Sequence, residues 1–136
     1  MRYLIDTNLC ITVINGAASA NTLKMLRRYK ATGDEFFVSS VVVHELWYGV
    51  AKSQHVARNT ANLHKFLTGP FSMLSLNAED GRVAAEIRAE LGRRGTPIGP
   101  YDLLIAGQAL ARDLVVVTRN TREFGRVSRL KVEDWG

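Results

Sequence analysis

Pro100 to Thr118 reads PYDLLIAGQALARDLVVVT, and this stretch decides the fold. Pro100 has a fixed φ and no N–H to leave unsatisfied, so it marks the start of a helix. The helix is expected to run from Tyr101 to about Asp113, with Asp102, Ile105, Ala106 and Ala109 on one face. Leu114 to Thr118 then supplies an unbroken apolar run rich in β-branched residues. That is the pattern of a strand covered on both sides in a parallel sheet. A helix feeding such a strand is the repeating unit of an α/β fold.

The same alternation holds elsewhere in the chain. Tyr3 to Ile5 is a short apolar strand that stops at Asp6. Asn21 to Tyr29 spaces Leu23, Leu26 and Tyr29 as a helix would, with basic residues between them. Phe36 to Ser39 is a second strand. Val41 to Ala51 is a helix capped by Ser39 or Ser40, although Val41-Val42-Val43 pulls locally toward strand. Val56 to Leu67 is a helix closed by Gly69-Pro70, and Phe71 to Leu76 is a strand. Ala78 to Arg94 is an amphipathic helix with Val83, Ala84, Ile87 and Leu91 inward; Pro97 to Pro100 is a loop. A helical turn is expected at Thr121 to Phe124 and a last strand at Lys131 to Val132. No internal repeat or linker interrupts the pattern. The expectation is one α/β domain, residues 1–136, with a central parallel sheet flanked by helices. In such sheets, ligands bind at the carboxyl ends of the strands.

The chain has 136 residues, 46% hydrophobic and 23% charged, enough for a core without disulfides or a structural metal. Cys10 is the only cysteine, which excludes an internal disulfide and fits a cytoplasmic protein. Asp6 interrupts the N-terminal apolar run too early for a signal peptide. No stretch approaches the ~20 apolar residues of a membrane span, so no membrane association is expected. Lys and Arg number 18 against 13 acids, a net charge of +5. That balance favours a polyanionic partner if the bases surround an acidic cleft.

Such a cleft is expected. Asp6 follows the first strand, Glu45 lies in the early turns of the helix after the second, and Asp102 lies in the first turn of the decisive helix. Strand-to-helix junctions of a parallel sheet share one edge, so the three carboxylates can converge there. Glu45 shares its face with Val41, Val42, Tyr48 and Gly49, so both it and Asp102 sit on apolar faces. Inward carboxylates want a cation, donors or a proton. A hard divalent ion would relieve their repulsion and could activate water against a phosphodiester. Blander roles compete: Asp6 as a helix cap, and Asp102 as a complement to the helix dipole. Asp80 also faces inward, but its place at a helix start favours the dipole role; Glu79 reads as solvated.

At these residues the sequence resembles the VapC toxins, PIN-domain ribonucleases of bacterial type II toxin–antitoxin systems. The segments that carry the likeness are YLIDTNLC, SSVVVHELWYGVAKS, IRAELGRRGTPIGPYDLLIAGQAL and VVVTRNTREFGRV, with Glu133-Asp134-Trp135 at the end. The combination of D-T-N, E-x-x-x-G, P-x-x-D-x-L-I-A and T-x-N-x-x-x-F is far more specific than any one part. The resemblance implies a PIN fold and an endoribonuclease dependent on Mg²⁺, with Mn²⁺ as a substitute. It implies a structured RNA substrate such as a tRNA and neutralisation by a cognate VapB antitoxin. It further implies a homodimer and a toxin–antitoxin hetero-oligomer, with operator DNA reached only through the antitoxin. Asp6, Glu45 and Asp102 match the acidic motif positions. The fourth acidic position falls on Asn120, an amide, and Glu123 one helical turn on can restore a carboxylate.

Thr7, Asn8 and Thr118 stand beside motif positions as ligand-orienting or turn residues. Arg93, Arg94, Arg119 and Arg122 flank the crevice, as do Arg126, Arg129 and Lys131, either as phosphate-holding groups or as a solvated basic face. Tyr48 and Tyr101 are candidates for base stacking, while Trp47 suits the core better. His44 beside Glu45 reads as a packed or exposed histidine rather than a base. The rival functions are a non-catalytic RNA- or protein-binding PIN module, a phosphoacceptor receiver domain, and a structural subunit. The first would lose acids that are present here. The second needs adjacent acids near the first strand and a lysine after a late strand, where this chain has solitary Asp6 and Arg119.

Overall fold

A computed structural model describes residues 1–136, except the side chains of Tyr29 and Lys30. Five strands, β1 (Arg2–Ile5), β2 (Glu35–Ser39), β3 (Phe71–Leu74), β4 (Val115–Val117) and β5 (Val132–Glu133), form one sheet in the order β3-β2-β1-β4-β5. Every neighbouring pair is parallel. Central β1 sets Leu4 opposite Phe37 on one side and Val116 on the other. Successive side chains of a strand point to opposite faces, yet Leu4, Ile5, Val116 and Val117 are all buried. Helices therefore cover the sheet on both sides.

The helices are α1 (Thr7–Ile14), α2 (Ala20–Arg27), α3 (Tyr29–Thr32), α4 (Ser40–Ala51), α5 (Val56–Leu67), α6 (Ala78–Arg93), α7 (Pro100–Arg112) and α8 (Thr121–Phe124). The chain builds outward from β1 to β2 and β3, then returns to place β4 and β5 on the other side. The order reverses between β1 and β4, which opens a crevice at their carboxyl ends.

Most expected elements form within a residue or two of their expected ends. Ser39 is the cap of α4 and accepts from Val41 N at 3.1 Å. Strand β3 stops at Leu74, short of the expected Leu76, because Ser39 is the last residue of β2 able to pair with it. Leu76 N donates instead to Ser40 Oγ at 3.0 Å. The expected helix from Asn21 to Tyr29 ends at Arg27, with a separate turn after it. Leu23, expected inward, is exposed, whereas Thr22 is buried. The C-terminal segment causes this rotation: Ser19 Oγ and Asn21 Nδ2 both donate to the Trp135 carbonyl, at 3.1 and 3.0 Å. The Tyr29 side chain lies outside the described residues.

Helices α6 and α7 pack along each other, with Gly107 against Ala84 so closely that a Cβ on Gly107 would stand 2.5 Å from the Ala84 Cβ. Asp80 is tied down more firmly than a dipole role requires. It completes a capping box with Asn77 and accepts from the Arg112 guanidinium at 3.1 and 2.9 Å. Glu79 is exposed and pairs with Arg82.

Candidate active site

The crevice collects the expected acids. Asp6 caps α1: its Oδ1 accepts from Leu9 N at 3.0 Å, which ties it to the helix N-terminus. Its Oδ2 accepts from the Thr118 hydroxyl at the end of β4. The cap role and the crevice role therefore belong to one side chain. Asp6 N donates to Val117 O at 3.1 Å, so the carboxylate sits on the seam between β1 and β4. Asp6 is 5% exposed, more deeply set than Glu45 or Asp102. Burial pushes its carboxyl up from the ordinary value, and Glu45 pushes the same way, while the bonds from Thr118 and Leu9 and the Arg119 charge act against them.

Glu45 is half-buried on α4 and accepts from the Thr7 hydroxyl at 2.7 Å. Asp102 lies in the first turn of α7, where the N-cap is Gly99. Its carboxyl is raised to about 6, first by burial, then by the charge and hydrogen bond of Glu123, then by Asp6 and Glu45. Asp102 thus lies within electrostatic reach of the other three acids, and Asp6 within reach of Glu45.

Asn120 is the N-cap residue of α8, and its amide Nδ2 donates to Glu123 Oε2 at 2.8 Å. Its backbone N donates to Thr118 Oγ1 at 2.9 Å. The amide at the fourth motif position steers a carboxylate supplied one turn later. Thr118 is buried and joins Asp6 to the Asn120 backbone, which makes it the positioning residue of the seam.

The carboxylates are spread rather than closed together. Among the described residues, no three His, Cys, Asp or Glu side chains stand as a ready-made ion cage. The donor set still fits Mg²⁺, which keeps several of its waters and uses one or two carboxylates. The clearest sign is Asp102, whose carboxyl is raised to about 6 first by burial and then by its negative neighbours Glu123, Asp6 and Glu45.

The basic residues divide. Arg93, Arg119 and Arg122 are exposed near the crevice side of the chain, Arg119 donating to the Gly136 carbonyl at 2.8 Å. Arg94 donates to the Arg126 carbonyl, and Arg126 donates to the Pro97 carbonyl at 2.9 Å. These two contacts brace the loop before α7. Lys131 pairs with Asp113 at 3.4 Å. Trp47 is half-buried and meets His64 edge-on, as its core reading requires. His44 is exposed, edge-on to Tyr101. Sequence reasoning did not single out Lys52, whose ammonium lies over the Tyr48 ring 4.9 Å from its centroid. The four-residue spacing of His44, Tyr48 and Lys52 was the available signal.

Fold and site define a class: a parallel α/β domain whose strand-order reversal opens onto a carboxylate crevice suited to a hard cation. Comparison with known proteins narrows it. The PIN domain family model matches residues 3–130, and the chain belongs to that family. The tRNA(fMet)-specific endonuclease VapC of Shigella flexneri is 41% identical over 136 residues, covering 99% of this chain and 98% of the relative. The crystal structure of DNA-bound VapBC from Salmonella typhimurium superposes with a TM-score of 0.89 at 38% identity, covering 100% of this chain and 99% of the other. VapBC2 of Rickettsia felis, bound to a DNA fragment from its promoter, gives 0.89 at 36% identity with both chains fully covered. Within the family, this chain groups with the VapC ribonucleases of toxin–antitoxin systems.

Proposed function

We propose that residues 1–136 act as one catalytic domain, a Mg²⁺-dependent endoribonuclease toxin that cuts initiator tRNA, with Mn²⁺ able to replace Mg²⁺. The observation that carries this reading is the convergence on one crevice of Asp6 at the β1–β4 seam and Asp102, both raised in part by the Glu45 charge and Asp102 also by Glu123. Asp6 and Asp102 would hold the ion, Glu45 would bind it directly or through water, and Glu123 would supply the fourth carboxylate in place of Asn120. When bound, the cation supplies Lewis-acid stabilisation of phosphate charge and eases ionisation of water.

The chain's own groups prepare the site. Leu9 N and Thr118 fix the rotamer of Asp6, Thr7 turns Glu45 toward it, and Asn120 turns Glu123. The Asp102 carboxyl, raised to about 6, would be favoured in its ionised form by a bound cation. Arg119 and Arg122 stand ready to meet the RNA backbone. The tRNA assignment rests on the name of the Shigella flexneri relative. The DNA-bound VapBC structures support a VapB-type partner and a promoter-DNA complex, and inhibition by that antitoxin, a homodimer and DNA contact through the antitoxin complete the proposal.

The test is cleavage of initiator tRNA by purified, antitoxin-free protein. The expected result is a discrete cut that stops with a chelator and returns with Mg²⁺. Asp6→Asn or Asp102→Asn should lose more than the roughly 10–100-fold that an outer-shell partner is worth. Full activity in either variant would overturn the ligand assignment.

A further inference from the structure

Beside the carboxylates lies a second feature that the chemistry above does not use. A cleft of about 700 Å³ opens from Glu45 along α4, lined by Asn8, Tyr48, Gly49, Lys52 and Tyr101 among others. Its size suits one nucleotide-sized ligand. The two tyrosines are 59% and 46% exposed, which leaves both rings open to a ligand. Tyr48 comes from α4 and Tyr101 from the first turn of α7, next to Asp102. Lys52 brings a cation against the Tyr48 ring.

Gly49 lines the same cleft. A glycine inside a helix costs stability and needs a reason. Gly49 does not occupy the left-handed region, and a Cβ built on it would meet nothing within 4 Å. Its missing side chain leaves the cleft floor open.

We propose that this cleft is a nucleotide subsite, where Tyr48 and Tyr101 stack a base of the RNA strand next to the scissile phosphate and Lys52 meets the adjoining phosphate. The inference rests on the ribonuclease reading and deepens it. Continuity with Glu45 puts the cleft on the path of any strand that reaches the carboxylates. Aromatic faces combined with a cation match single-stranded nucleic acid better than an apolar peptide segment. Stacking tolerates any base, so the subsite orders the strand without dictating sequence.

The experiment uses the Asp6→Asn protein and initiator tRNA carrying 2-aminopurine at single-stranded positions, whose fluorescence falls on stacking. The expected result is quenching on binding. Tyr48→Ala and Tyr101→Ala should each weaken binding roughly tenfold and abolish quenching at one position. Tyr48→Phe should restore both. Gly49→Leu, which fills the floor, should weaken binding while circular dichroism stays near the parent and melting does not fall. Equal affinity and quenching in the alanine variants would overturn the proposal. So would a loss confined to antitoxin binding, which would assign the cleft to a protein partner. Failure of the ribonuclease reading is seen separately, as tRNA that wild-type protein leaves uncut or cuts in chelator.

Discussion

Replacing Asp102 with Asn should stabilise the cation-free protein while removing its response to cation. Asp102 ionises at about 6 in the folded chain against an ordinary 3.8. The folded state therefore holds a proton that the unfolded chain has already released, so stability falls as pH rises through that window and stays low above it. The gap corresponds to about 3 kcal/mol at full strength. Asp102 is only half-buried, and solvent screening brings this to about 1–2 kcal/mol. The amide variant escapes the penalty, and at about pH 7.5 its melting temperature should exceed wild type by roughly 3–8 °C without cation. Adding Mg²⁺ should reverse the order, because an ion that binds only the folded wild type stabilises it by mass action. Thermal melts at acidic and neutral pH, with chelator and with Mg²⁺, measure both effects. A variant no more stable than wild type in chelator at neutral pH would refute the reasoning, as would equal stabilisation of both proteins by Mg²⁺.

Glu123→Gln should lower the ionisation point of Asp102 toward the ordinary carboxylate range by removing its strongest charged neighbour, which a carboxyl NMR titration would read. Asp80→Ala should cost about 3 kcal/mol in urea denaturation, because it strips the α6 capping box and leaves Arg112 without its carboxylate. Gly107→Val should cost roughly 1–3 kcal/mol by forcing α6 and α7 apart at Ala84, with no direct effect on the crevice.

Much of this was legible in the residues, and the exceptions have identifiable causes. The apolar run ending at Thr118 implied a doubly covered strand, and β4 is buried throughout. Glu45 and Asp102 could be placed from helix spacing. Asp6 could not be resolved between cap and crevice, because one carboxylate has two oxygens and uses each for a different purpose. Helix α1 hid within an apolar N-terminal run that offered no helical periodicity to read. The inward face of α2 was set by the Trp135 carbonyl from the far end of the chain, a contact that local spacing does not encode. The pairing of Asn120 with Glu123 needed the α8 turn before the amide could be recognised as steering its neighbour. The carbonyl contacts of Arg94 and Arg126 join segments about thirty residues apart, which local spacing does not encode.

The proposed chemistry depends on a divalent ion held by the carboxylates at the seam between β1 and β4. Titration of Mn²⁺ into the RNA-free protein, followed by loss of the free-ion paramagnetic resonance signal, tests this without relying on activity. Wild type should sequester the ion, competitively with Mg²⁺, and Asp6→Asn and Asp102→Asn should each release it. Undiminished binding in both variants would contradict the account.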